Sequence, residues 1–412
     1  MNSGHDRCGY GLLSLMEEQG KELALATKPK PAKKGRDSNL ELLRIISMLL
    51  IVFHHFGAHG GFDIPYDLSN GNLFWYALMI MVGKIGVSAF VLISGYCLVN
   101  KEGPYFNWKK ILRFWWQVFF YAMGCFLLFG FLGKANFESR AEWHGAFFPI
   151  IFRRWWFVTT YFVLSLIYPF INKALVSIGK RAYQTLVIIM VVIWSIIPSL
   201  TGKPMESNFM IWMFALYVIG GYLKMYGLNP KFKWWFYLIM CLVFSGLTYL
   251  TFVAAVVPGF PKIDWFAAQP YLFFDFSSIL AFLVALNLFM LFASINIGQI
   301  KWLNVIASAT FGVYLIHDNA YVSAWLWGEF VKPFQYQDSP LLIPYSIGIT
   351  FAVFIACGAI ELVRKYTLEK GFMFLVDKLA KTPVVKPFVF VDKWFRKIIF
   401  GDNPEENLAG RE

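Results

Sequence analysis

Charged residues are scarce in this chain. Asp, Glu, Lys and Arg make up only 15% of its 412 residues, whereas a soluble globular domain carries about 25%. Apolar residues reach 58% and aromatic residues 19%, which is more apolar surface than a soluble core of this size can bury. The composition therefore excludes an ordinary soluble protein and predicts that lipid solvates part of the surface.

Cysteine motifs are absent as well. The five cysteines lie far apart, without a CxxC pair: Cys8, Cys97, Cys125, Cys241 and Cys357. This spacing predicts neither a disulfide framework nor a zinc site. The net charge of +12 comes from short Lys and Arg clusters between apolar runs, with no basic face, so we expect no nucleic-acid partner.

Long apolar runs are what the chain has instead. About ten of them recur, each near or above the ~20 residues that a helix needs to cross the hydrocarbon of a bilayer. We therefore predict an all-α, polytopic integral membrane protein with about ten transmembrane helices in one bundle. The runs are 40–57, 72–99, 111–132, 155–172, 183–200, 208–225, 234–257, 271–293, 302–327 and 340–363. Gly83, Lys84 and Gly86 predict an interfacial section or a break in the second run.

The polar segments and loops predict the organisation and the orientation. Residues 1–38 read as a disordered cytoplasmic tail, 39–365 as the transmembrane domain, and 366–412 as an amphipathic cytoplasmic tail. The loops after the even-numbered runs are the richer in Lys and Arg, apart from Arg153 and Arg154 in an odd-numbered loop. We therefore predict a multi-pass plasma-membrane protein with both termini in the cytoplasm.

The first apolar run contains one arginine and two histidines, Arg44, His54 and His55, in its interior. An ionisable group inside a membrane helix is costly, so it is a functional hypothesis by default. Eleven residues of helix advance about 1100°, three turns plus about 20°, which puts Arg44 and His55 on one face about 16 Å apart. His54 is turned away by about 100°.

Structural explanations compete with a functional one for these residues. Arg44 near the helix end can extend to lipid phosphates, and buried histidines can simply be hydrogen-bonded. His55 and His59 have the spacing of metal ligands on a helix. The sequence shows neither an acidic partner for them nor an HExxH motif, and Gly57, Gly60 and Gly61 favour an earlier helix end. We therefore predict no metal site.

Three further polar groups lie in apolar runs. His317, Asp318 and Asn319 form a polar group inside the ninth run. The Asp318 carboxylate can orient an imidazole, or the three side chains can join helices by hydrogen bonds. Ser94 and Tyr96 flank Gly95 in the second run, where small residues permit close approach of a helix or a ligand. In the fourth run, Trp156 has the position of an interfacial anchor, and Tyr161 is a hydrogen-bond donor for a substrate or a packing residue.

Four segments in this order resemble the acyltransferase-3 family of membrane acyltransferases. The first run fits the family's Arg-x10-His signature at Arg44 and His55. GVSAFVLISGY resembles its GVxxFFxxSGY element, WWFVTTYFVLSLIYPFIN its WFxxxYxxLYLLxPFLN element, and FGVYLIHDN its FGIYLIHxP element. The resemblance spans residues 39–365. The last element departs from the pattern, because Asn319 and Ala320 stand where many members have a nearby proline.

The resemblance implies an O-acyltransferase that takes an acyl group, usually acetyl, from cytoplasmic acyl-CoA. The acceptor implied is a sugar hydroxyl of an extracytoplasmic polysaccharide or lipid-linked glycan. Arg44 would bind the donor, and His55 would act as general base or accept the acyl group transiently, with His317 and Asp318 beside it. Ser94, Tyr96, Trp156, Tyr161 and Asn319 would bind substrates. No tightly bound cofactor is implied, and the other partners are membrane lipids.

Two other classes share the many-helix, basic character. A transporter or flippase of lipid-linked sugars would use Arg44 and the His317–Asp318 pair to move substrate or protons, but it favours internal repeats, which the sequence lacks. A polysaccharide polymerase or ligase typically carries a large outer loop, whereas the longest one here has only about 20 residues by the same span prediction. Transfer of labelled acetyl from acetyl-CoA to a polysaccharide would separate these classes.

Overall fold

Helices account for all the regular structure in the part of the chain that the computed structural model describes. The described residues are 37–64, 69–99, 108–206, 208–227, 231–257 and 269–379, with single positions at 382, 390, 394 and 397. No strand occurs among them. The all-α prediction is confirmed.

The long helices follow the predicted apolar runs closely. They are α1 (Ser38–Ala58), α2 (Leu73–Leu98), α3 (Trp108–Phe131), α5 (Trp156–Ser177), α8 (Phe209–Tyr226), α9 (Trp234–Val256), α10 (Ile279–Ser294) and α14 (Leu342–Tyr366). The shorter ones are α4 (Arg140–Phe147), α6 (Gly179–Val191), which a π-helical turn joins to α7 (Ile197–Thr201), α11 (Lys301–Ala307), α12 (Thr310–His317), α13 (Ala320–Trp325) and α15 (Leu368–Leu379).

Nine stretches of the described residues are long and apolar enough to cross a membrane. They correspond to nine of the predicted runs, so the prediction of a multi-pass membrane protein is confirmed. Large apolar side chains on their outer surfaces face away from the protein; Leu242 is 63% exposed and Ile355 65%. Lipid is the solvent that such a surface requires.

The run predicted at 302–327 is not one continuous helix. It is divided into α11, α12 and α13, with interruptions at 308–309 and 318–319. The second interruption has a local cause: Asn319 has an extended backbone, and its side-chain oxygen accepts a hydrogen bond from the Tyr321 N–H, at 3.1 Å. Asn319 therefore caps the start of α13 instead of continuing α12.

The second run, in contrast, is unbroken. The break expected at Gly83, Lys84 and Gly86 does not occur, because α2 is helical throughout. A Cβ atom on Gly86 would meet the main-chain carbonyl oxygen of Ser47 in α1. The glycine therefore permits close approach between α1 and α2, as small residues do in membrane helices.

The first helix lies at the centre of the bundle. It packs against α2, α10, α11, α12 and α14. Its apolar side chains enter two core clusters: Ile51, Val52 and Phe56 lie in one with α12 and α14, and Leu40 and Leu43 in the other with α2 and α8. This central position explains how the first run can carry ionisable residues without exposing them to lipid.

A buried charge network fixes the end of α14. Arg364 follows the predicted tenth run, 340–363, but α14 extends past it, and its side chain is 2% exposed. The guanidinium donates to Glu361 at 2.8 Å and to Glu369 of α15 at 2.7 Å, and Tyr121 of α3 donates to Glu361 at 2.7 Å. A buried charge of this kind needs such partners to offset its desolvation.

The two predicted tails are described only in small part. Residues 1–36 of the N-terminal tail lie outside the described residues, and Ser38 already belongs to α1. Of the C-terminal tail, α15 is helical with apolar residues such as Phe374 and Leu375 exposed among lysines. Most of the chain beyond 379 lies outside the described residues.

Gly95 offers a test of this packing. A Cβ atom there would meet the main-chain carbonyl of Tyr217 in α8. We expect Gly95→Ala to lower the midpoint of thermal unfolding in detergent, because overpacking costs about 1–3 kcal/mol. The matched control is Gly246→Ala in α9, where the new Cβ meets open space and alanine favours the helix. Equal midpoints for the two variants would contradict the contact.

Candidate active site

Two histidines from different helices meet near the C-terminal end of α1. Nδ1 of His55 lies 3.0 Å from Nε2 of His317, the last residue of α12. Nδ1 of His317 lies 2.6 Å from the main-chain carbonyl of Val313. Both residues were predicted as site residues, and the structure brings them together.

These two hydrogen bonds determine where the protons lie on neutral rings. A carbonyl oxygen only accepts, so Nδ1 of His317 carries a proton and its Nε2 has a lone pair. Nδ1 of His55 must then donate to that lone pair, which leaves Nε2 of His55 unprotonated. Among the described residues no group hydrogen-bonds to this nitrogen. The hydrogen bond at Nδ1 thus orients the His55 ring, and the unprotonated Nε2 can act as a base.

Asp318 completes the cluster. Its Oδ1 lies 3.5 Å from Nδ1 of His55 and 3.7 Å from Nε2 of His59. The buried hydroxyl of Tyr314 lies beside the same carboxylate. A carboxylate at this distance stabilises an imidazolium when His55 takes up a proton.

His59 was set aside in the sequence analysis for want of an acidic partner and because an earlier helix end was expected. The structure differs on the first point only, since α1 ends at Ala58, before His59. The His59 N–H still donates to the His55 carbonyl at 2.9 Å, so His59 lies one turn beyond His55. Asp318, which is distant in sequence, supplies the carboxylate. Partial burial lowers the pKa of the His59 imidazole below its usual value.

His54 has a different environment from His55, as the helical geometry predicted. Its Nδ1 lies 3.3 Å from the Met79 carbonyl, and its ring occupies the space that a Cβ on Gly83 would take. His54 therefore joins α1 to α2. This contact gives His54 a structural role, the hydrogen-bonded joining of two helices.

Arg44 lies at the other end of the same face of α1. Its guanidinium pairs with Glu41, one turn earlier, and its side chain is 22% exposed. Tyr161 of α5 and Cys97 of α2 lie within electrostatic range of it. This pairing was not predicted, although Glu41 stands three residues before Arg44, a spacing at which helical side chains meet.

Ser94 and Tyr96 lie at the level of Arg44 and not of His55. The two helices are antiparallel, and Gly83 faces His54 while Gly86 faces Ser47, so later residues of α2 lie beside earlier residues of α1. The Ser94 hydroxyl donates to the Phe90 carbonyl at 3.0 Å. The Nζ of Lys224 lies 4.6 Å from the centroid of the Tyr96 ring.

Trp156 belongs to an aromatic cluster of its own. Its ring centroid lies 4.7 Å from that of Phe209 and 6.3 Å from that of Phe276. Next to it in sequence, Phe157 contacts both Tyr161 and Tyr314, with ring centroids 5.9 and 5.7 Å apart. Tyr161 and the histidine cluster are therefore connected through Phe157, whereas these contacts of Trp156 face α8 and the segment before α10.

A small pocket beside Asn319 was not foreseen from the sequence. Arg154, Asn319 and Tyr321 line it, together with three alanines. The Tyr321 hydroxyl donates to Glu142 at 2.9 Å, and Arg154 donates to the main-chain carbonyl of Glu142 at 3.2 Å. The sequence signal for this pocket was the pair Arg153 and Arg154, which lies in a loop where few Lys and Arg residues were expected.

Comparison with known proteins identifies the family of this chain. The profile of one family, described as an acyltransferase domain of the acyltransferase-3 type, matches residues 37–361. No curated protein and no solved structure matches the chain. The match begins at the start of α1 and includes α2, α5, α12 and the His55–His317 pair. This chain therefore belongs to the acyltransferase-3 family of membrane acyltransferases.

Proposed function

We propose that this protein is an O-acyltransferase of the plasma membrane. It takes an acyl group, acetyl in the family's usual case, from cytoplasmic acyl-CoA and transfers it to a sugar hydroxyl of an extracytoplasmic polysaccharide or lipid-linked glycan. Both termini lie in the cytoplasm in this proposal. Membership of the family favours acyl transfer over the flippase alternative.

The hydrogen bond between His55 and His317 carries the proposal. It fixes the His55 ring and leaves Nε2 with a free lone pair in a side chain that is only 14% exposed. A sugar hydroxyl is too weakly acidic to attack a thioester without a base. An imidazole that is held on one nitrogen and free on the other meets that requirement, as in the Ser-His-Asp arrangement.

The reaction requires one attack and one bond cleavage. The sugar oxygen attacks the thioester carbonyl carbon while Nε2 of His55 takes the hydroxyl proton. The tetrahedral intermediate then expels the CoA sulfur as the C–S bond breaks, and the proton on Nε2 passes to that sulfur. Asp318 stabilises the intervening imidazolium. Transient acylation of His55 itself is the other route that the same geometry permits.

The donor is bound from the Arg44 end. A guanidinium pairs well with phosphate, and Arg44 remains partly exposed beside Glu41 and Tyr161. Eleven residues of helix separate Arg44 from His55 by about 16 Å. CoA suits this distance because a long, flexible arm joins its phosphates to its thiol. Ser94 and Tyr96, at the level of Arg44, line the path of that arm.

Loss of the His55 side chain tests the base directly. We expect His55→Ala to lower acyl transfer by about 10²–10⁴-fold, the contribution typical of a general base. The measurement is transfer of radiolabelled acetyl from acetyl-CoA to isolated cell-envelope glycan by purified protein. Thermal unfolding and size-exclusion profiles confirm that each variant is folded.

His54→Ala is the matched control, one residue away on the same helix. It removes a contact between α1 and α2, so we expect a lower unfolding midpoint with most of the activity per folded molecule retained. Full activity of a folded His55→Ala protein would refute the catalytic assignment. An equal loss in both variants would indicate that only packing is affected.

The orienting role of His317 has its own signature. His317→Ala removes the acceptor for Nδ1 of His55, so we expect a loss of activity smaller than that of His55→Ala. The double variant should be no slower than His55→Ala alone, because residues that act as a unit are not additive. Additive losses in the double variant would show that His317 acts independently of His55.

Arg44 is tested by a conservative change. We expect Arg44→Lys to raise KM for acetyl-CoA by about tenfold, because lysine loses the bidentate contact with phosphate. The KM for the glycan should stay unchanged. An unaltered KM for acetyl-CoA in Arg44→Lys would indicate that Arg44 serves the fold or the lipid interface and not the donor.

A further inference from the structure

Three potential metal ligands converge at the His55 end of α1. One nitrogen from each of His55 and His59 and one oxygen of Asp318 all lie within 4.8 Å of one another. The carboxylate stands 3.5 and 3.7 Å from the two rings. These separations are long for hydrogen bonds.

The separations suit donor atoms around an ion. Ligands about 2.0–2.1 Å from a tetrahedral zinc ion lie about 3.4 Å from one another. The carboxylate-to-imidazole distances are close to that value, so small side-chain movements would close the shell. Two histidines and one carboxylate are also a ligand set that zinc commonly takes in proteins.

The neighbouring groups are arranged as they are around metal sites. Metal-bound histidines usually donate their second ring N–H to a main-chain carbonyl. His317 already does so toward Val313, which turns its unprotonated Nε2 toward His55. This nitrogen lies 3.0 Å from Nδ1 of His55 and can supply a fourth ligand.

The cluster is also accessible from one side. The His59 side chain is 44% exposed, whereas those of His55 and Asp318 are 14% and 16% exposed. An ion can therefore reach the cluster past His59, which stands one helical turn beyond His55.

We propose that His55, His59 and Asp318 form a binding site for Zn²⁺ or a similar divalent transition metal, and that the bound ion switches off the His55 base. The reason lies in proton positions. A neutral imidazole has one proton, so metal binding at Nδ1 moves that proton to Nε2. The lone pair that would accept the sugar proton is then absent. The proposal that an ion binds depends only on the geometry of these side chains. The proposal that the ion inhibits the enzyme also rests on the proposed function.

The test measures binding and activity separately. The full-length protein, purified through a tag without histidine and stripped of metal, is titrated with ZnCl₂ by calorimetry. We expect one Zn²⁺ per chain, and an at least tenfold weaker affinity in His59→Ala. His144→Ala, at an exposed histidine of α4, is the matched control and should bind as the wild type does.

Activity provides the second readout. We expect Zn²⁺ to inhibit acetyl transfer by the wild type and by His144→Ala, and His59→Ala to need at least tenfold more Zn²⁺ for half inhibition at unchanged metal-free activity. Equal Zn²⁺ affinity of wild type and His59→Ala, or no binding, overturns the site. Binding that depends on His59 in a protein without acyl-transfer activity would uphold the site and refute the proposed function. Binding without inhibition would refute the switch.

Discussion

The close approach of α1 and α2 is the contact on which the site depends. A side chain at Gly86 would collide with the main chain of α1 at Ser47, and one at Gly83 with the His54 ring. Because His54 is held in that contact, the side of the helix about 100° away, which carries His55, must face α12. The contact between α1 and α2 thus sets the rotation of α1 about its own axis. This rotation turns His55 toward His317.

The rotation of α1 about its axis would not by itself stabilise polar groups in the interior of the helix bundle. Each ionisable side chain of α1 also has a polar neighbour: Arg44 has Glu41, His54 has the Met79 carbonyl, and His55 has His317. An unpaired polar group in a low-dielectric interior is expensive. The partners of His54 and His55 come from α2 and α12, so the polar face of α1 forms only when three separate segments assemble.

Most of the fold could be predicted from the sequence, because a membrane helix requires an apolar run of about 20 residues, which is visible in the sequence. Those features of the site that follow from helical periodicity could also be predicted, such as the position of Arg44 and His55 on one face of α1. The division of the ninth run was missed, since hydropathy does not register the cap that Asn319 forms. The partner of His59 was missed because Asp318 is distant in sequence and reaches it through tertiary packing. The burial of the Arg364–Glu361 pair was missed because Tyr121, which donates to Glu361, comes from another helix.

The interruption between α12 and α13 has a consequence for side reactions. Main-chain groups that leave a helix at membrane depth must be satisfied by protein or by water, and the cluster is open past His59. Under the proposed function, water would therefore compete with the sugar for the His55 base. Such an enzyme would hydrolyse its thioester donor whenever the acceptor is absent. The yield of acylated glycan would then depend on the sugar binding before the acyl group arrives.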